Sequence, residues 1–123
     1  MCPADEHEID KLIANLCAEK DGESDFVAFT CRNISECFLN SATLEGKVNI
    51  VSTMAAFAAR AGEVLDNPFL GDGDKLKMLG ADHYGILDML PKMYPGVVST
   101  TAVENAKKNL VLNLSSMLHR CPN

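Results

Sequence analysis

Apolar residues recur along this chain at the three- and four-residue spacing of helices, and no segment alternates polar and apolar residues as a half-buried strand would. Ile9, Leu12, Ile13, Leu16 and Cys17 mark a first helix, which Asp21-Gly22 ends. A second begins at Ser24 or Asp25, either of which can cap it, and carries Phe26, Phe29, Ile34, Cys37 and Phe38 on its inner face. Asn40 to Thr43 reads as a loop or a helix end. The third segment, Leu44 to Leu65, bears two apolar stripes. One is Leu44, Val48, Val51, Ala55, Ala58 and Leu65; the other is Ile50, Met54, Phe57, Ala61 and Val64. A helix apolar on two faces is central, and its alanines admit close neighbours. This segment is therefore the expected spine, with Met54 and Phe57 in the core.

Pro68, Gly71 and Gly73 make Asp66 to Gly73 a loop. Asp74 is the expected cap of a fourth helix, which Pro91 and Pro95-Gly96 break. Thr101-x-x-Glu104 has the form of a capping box opening the last helix, whose inner face is Val103, Ala106, Leu110, Leu114, Met117 and Leu118. The expected fold is all-α. It is one domain over residues 1–123, a single compact globule of about five to six helices around a central apolar helix, rather than a regular four-helix bundle.

Charge removes one class of partner. Eleven Lys and Arg stand against 17 Asp and Glu, for a net charge of −6. A phosphate-binding surface needs clustered basic residues, so no nucleic-acid partner is expected. A hydrophobic share of 47% suits a packed domain, not a disordered chain. Met1 to Asp10 is acidic and lacks the apolar run of a secretory signal. Ile50 to Ala61, the most apolar stretch, falls short of the ~20 residues that cross a bilayer. No membrane association and a cytoplasmic location are expected.

Five cysteines, Cys2, Cys17, Cys31, Cys37 and Cys121, cannot all pair within one chain. None has zinc-site spacing. They read as free thiols in a reducing compartment, Cys17, Cys31 and Cys37 serving as small hydrophobes. The alternative joins Cys2 to Cys121 and makes the protein secreted. Asn33-Ile34-Ser35 and Asn113-Leu114-Ser115 are formal glycosylation sequons, both inside expected helices.

Most candidate chemistry does not survive inspection. Asp66, Asp72 and Asp74 lack the spacing of a calcium loop, because Leu76 stands where a third oxygen ligand belongs. Gly71-Asp72-Gly73 is too short and too acidic to cradle phosphate. His7 and His119 lie near the termini, where solvent reaches them. Glu6, Glu8 and Asp10 suit an exposed first helical turn. No complete catalytic constellation remains, and no enzyme activity is expected.

His83 survives. Leu76, Leu79, His83, Leu87 and Leu90 fall on one helical stripe, so an imidazole points where a core should be. A polar group buried there needs a partner: a backbone carbonyl, a buried water or an iron atom.

Around His83 the chain resembles a globin. Glu36-Cys37-Phe38 is similar to the globin corner whose phenylalanine lies flat on the haem. Met54-Ala55-Ala56-Phe57-Ala58 resembles the apolar helix crossing the distal side. Leu76, Leu79, Gly80 and His83 fit the Leu-x-x-Leu-Gly-x-x-His pattern of the proximal helix. Pro91-x-x-Tyr94-Pro95-x-Val97 resembles the start of the next helix in bacterial-type globins. The resemblance runs roughly from Cys37 to Val97. It implies a globin-like fold, haem as cofactor, His83 as the metal ligand, and Phe38, Ile50, Met54 and Leu79 lining the haem. The departures are a short chain after Val97, no tryptophan, and Gly46 or Ile50 where a polar distal residue would stand.

Two functions follow. One is a small haem protein that binds a diatomic gas or transfers electrons. The other is a cofactor-free helical module that binds a protein partner, with a secreted signalling protein as its variant.

Overall fold

The computed structural model describes residues 3–18 and 24–120, and among these the chain forms five helices. They are α1 (Pro3–Cys17), α2 (Ser24–Glu36), α3 (Leu44–Leu65), α4 (Asp72–Met93) and α5 (Thr100–Arg120). The all-α expectation holds, and no strand occurs among the described residues. An isolated antiparallel bridge joins Phe38 to Val98. Around it Leu39 N–H donates to Val97 O at 2.8 Å and Ser99 N–H to Cys37 O at 2.9 Å, tying the end of α2 to the α4–α5 connection.

The bounds of α3 follow from local chemistry. Thr43 accepts the Gly46 N–H on its hydroxyl at 3.0 Å and caps the first turn. Gly46 must lack a side chain, because a Cβ there would overlap the Asn40 carbonyl. At the other end Lys75 Nζ, reaching across from α4, donates to Leu65 O at 2.7 Å. The stripe Gly46, Ile50, Met54, Phe57, Ala61 and Val64 is buried. On the second expected stripe Leu44, Val48, Val51, Ala58 and Leu65 are half-buried and Ala55 is exposed.

The central position is shared. α3 packs against α1, α2 and α4, whereas α2 packs against all four other helices. Accordingly α2 buries Phe26, Ala28, Thr30, Cys31, Asn33 and Ile34, on more than one face. Its polar Thr30 and Asn33 interrupt the apolar pattern, which is why periodicity underrates this helix. α1 buries none of its described side chains fully. Lys47 of α3 pins it by ion pairs to Glu6 at 3.3 Å and Asp10 at 2.9 Å. Those two carboxylates therefore face a neighbouring helix as well as solvent. Arg32 of α2 donates to the Cys17 carbonyl at 2.9 Å at the end of α1.

Three local expectations are corrected. α4 starts at Asp72 behind the N-cap residue Gly71, which makes no side-chain cap, so Asp74 lies within the first turn. There it favours the helix dipole and caps nothing. Pro91 does not break α4, which runs through it to Met93. The missing N–H falls in the last turn, and Tyr94 N–H still reaches Leu90 O at 2.9 Å. The chain turns away at Gly96, whose φ of +83° suits glycine. Finally, Ser99 caps α5, not Thr101: its hydroxyl accepts the Ala102 N–H at 3.1 Å. No helix among the described residues is long and apolar enough to cross a membrane.

Candidate functional site

Two places in the fold carry chemistry, and both involve α4. On its inner face His83 is fully buried. Its Nδ1 lies 3.1 Å from Thr30 Oγ1 and its Nε2 lies 3.2 Å from Asn33 Nδ2. The neighbouring bonds determine the direction of each. Thr30 donates its hydroxyl hydrogen to Phe26 O at 2.9 Å, so toward His83 its oxygen accepts. Asn33 donates from Nδ2 to Ala106 O at 2.9 Å, which orients the amide with its nitrogen toward the ring. His83 is thus the neutral Nδ1–H tautomer: Nδ1 donates to Thr30 and Nε2 accepts from Asn33. This one network joins α2, α4 and α5.

Apolar rings enclose the imidazole. Phe29, Phe26 and Phe57 lie 5.5, 6.0 and 6.3 Å from it between ring centroids, the first two nearly edge-on. Burial lowers the His83 pKa from 6.5 to about 3. A second proton would also sit on Nε2, facing the Asn33 N–H group.

The other expected haem-lining residues are all in the core, but they do not form a slot. Ile50, Met54 and Leu79 are buried in one apolar cluster with Phe38. The Phe38 ring instead meets Tyr94, 5.3 Å away between centroids, beside the Phe38–Val98 bridge. An axial ligand must offer a nitrogen lone pair to iron across an open apolar gap. Here the Nε2 lone pair is spent on Asn33, the other nitrogen carries hydrogen, and Ile50, Met54 and Leu79 are each at most 1% exposed. This arrangement does not fit a porphyrin iron. Gly80, part of the proximal-helix pattern, has a packing reason: a Cβ there would lie 2.5 Å from the Leu114 side chain of α5.

Among the described residues no group of three or more His, Cys, Asp and Glu side chains could hold a metal ion. Cys17, Cys31 and Cys37 are free thiols. Burial pushes Cys31 up to about 12 and Cys37 up to about 11, and raises Cys17, so none is poised as a thiolate nucleophile. Cys2 and Cys121 lie outside the described residues. Of the two sequons, Asn33 is buried and bonded, which removes it as a glycosylation acceptor in the folded chain. Asn113 is exposed on α5.

The second place was missed from the sequence. On the outer side of α4, Ile86, Met89 and Met93 face Ser52, Thr53 and Ala56 of α3 across a cleft of about 260 Å³. Tyr94 also lines it. The cleft continues along the same two helices, past Gly85 and Ala81, to the Arg60–Asp82 ion pair at 3.2 Å. Met89 and Met93 are each more than half exposed. Its signal was Ile86, Met89 and Met93, apolar positions on α4 lying off the His83 stripe. Without the neighbouring helix they read as scattered surface residues, which are common.

No protein-family model, curated protein or solved structure matches this chain.

Proposed function

We propose that this chain is a cofactor-free helical interaction module, that the groove between α3 and α4 receives an apolar segment of a protein partner, and that His83 is structural. One observation carries the reading. Hydrogen-bonding capacity is spent inside at His83, while apolar surface stays unspent outside, in a groove with flexible methionines on one wall. Methionine side chains adapt to varied partners, and amphipathic helices dock in such grooves. The module has no catalytic step. The secreted alternative requires a Cys2–Cys121 bridge, which mass spectrometry without reductant would reveal.

Methyl NMR tests the groove. An amphipathic peptide should shift Met89 and Met93 methyls and leave the buried Met54 methyl in place. A uniform shift, or none, removes the proposal. Haem titration tests the rival reading: no Soret band is expected. A Soret band that appears with the wild type and vanishes in His83→Ala would replace the module with the haem protein.

A further inference from the structure

We propose that the outer face of α5 pairs with the same face of a second copy of this chain, the two helices running antiparallel about a two-fold axis between Val111 and Leu112. The face is separate from the α3–α4 groove, because no residue of α5 lines that cleft. Cover from the rest of the fold thins along α5. Val103, Ala106 and Leu110 are buried. The apolar residues of the two turns that follow, Val111, Leu112, Leu114, Met117 and Leu118, are at best half-buried. Among the described residues α5 packs on α4 and α2 alone. Leu112 is 70% exposed and Val111 57%, and both line an open cleft with Tyr84 of α4. Lys107, over the Tyr84 ring, is already paired with Asp88 at 3.2 Å and Glu104 at 3.7 Å.

The order of residues on the face selects the occupant. At helical spacing Glu104, Lys108, Val111, Leu112, Ser115 and His119 share a stripe about 100° wide. Reversal about the point between Val111 and Leu112 exchanges those two residues. It also exchanges Lys108 with Ser115 and Glu104 with His119. An antiparallel copy therefore sets apolar side chains against each other at the centre. At both ends it sets a carboxylate opposite an imidazole whose N–H donates to it, and no like charges oppose. The two-fold axis makes each pair twice, as an isologous contact requires. A parallel copy would set Glu104 against Glu104 and Lys108 against Lys108. Charge pairs at such a rim fix register more than affinity. One helix face is a small interface, so the association is weak and depends on concentration.

Sedimentation equilibrium of the full chain tests the pairing. The apparent mass should rise toward twice the monomer as the concentration approaches roughly the millimolar range. Leu112→Glu puts two carboxylates at the centre of the contact, and its side chain leaves no core position. It should abolish self-association with an unchanged thermal melt. Glu104→Lys and His119→Glu should each weaken association several-fold. A chain carrying both should return to within about twofold of the wild type, because the introduced lysine and glutamate then oppose each other across the axis. A monomer mass at every concentration overturns the proposal, as does undiminished association in Leu112→Glu. A double variant weaker than both single ones would mean parallel helices, and the antiparallel pairing fails.

Discussion

The two sides of α4 invert the usual arrangement of a globular helix. Its inner side holds a polar residue, His83, between Leu79 and Leu87, in a site closed to solvent. Its outer side holds Ile86, Met89 and Met93, open along a groove with α3. Burial of the imidazole is tolerated because Thr30 and Asn33 satisfy both nitrogens. Exposure of the methionines has no such internal compensation. A polar group in a core and an apolar group on a surface are both signals, and what separates them is whether the partner is already present in the fold. By that measure the inner site is satisfied within the fold, by Thr30 and Asn33, and the outer one is left uncovered by it.

The sharpest way to break this contrast is to truncate each side. Phe57→Ala removes a fully buried ring packed near His83 and should cost ~3–5 kcal/mol in urea unfolding. Met89→Ala, on the groove, should cost about 0.5 kcal/mol or less. Comparable losses would mean that the groove is part of the core.

The inner site should also respond to pH. The unfolded chain takes up a proton on His83 near pH 6.5, whereas the folded chain resists until about 3. Between those values the unfolded state binds more protons, so acid favours unfolding. The stabilisation is complete above about pH 6.5 and falls with pH through the window, by up to ~1.4 kcal/mol per pH unit. The part between neutral pH and about pH 5 lies above most carboxylate titration and is the cleanest to read. His83→Gln, retaining hydrogen-bonding groups, should flatten this slope. An identical slope in both proteins would mean that the imidazole is solvated.

His83→Ala should destabilise the fold by roughly 1–3 kcal/mol through the unpaired Thr30 and Asn33 groups, with more if the cavity fails to close. Circular dichroism should remain helical. A neutral effect on stability would show that the network contributes nothing.

The smallest effects distinguish the two candidate caps of α5. Ser99→Ala should cost about 1 kcal/mol and Thr101→Ala less than about 0.5 kcal/mol, measured by thermal melts. The reverse order would restore the Thr101 box.

Much of this protein was legible along the chain, where the deciding interactions are local. Helix periodicity alone places α3 at Leu44–Leu65 and puts Met54, Phe57 and His83 inside. Turn and cap chemistry was less secure. Several side chains can cap a given helix start, and the Ser99 hydroxyl wins at α5 by geometry. A proline near a helix end, such as Pro91, forfeits only one late hydrogen bond. The tertiary structure alone decided what the buried imidazole does, because its partners lie 53 and 50 residues away in sequence. Thr30 and Asn33 look like surface positions of a modest helix until α4 and α5 pack on them. The groove is tertiary for the same reason. Its two walls come from different helices, and apolar spacing within one helix records which residues share a face, never which neighbour leaves that face uncovered.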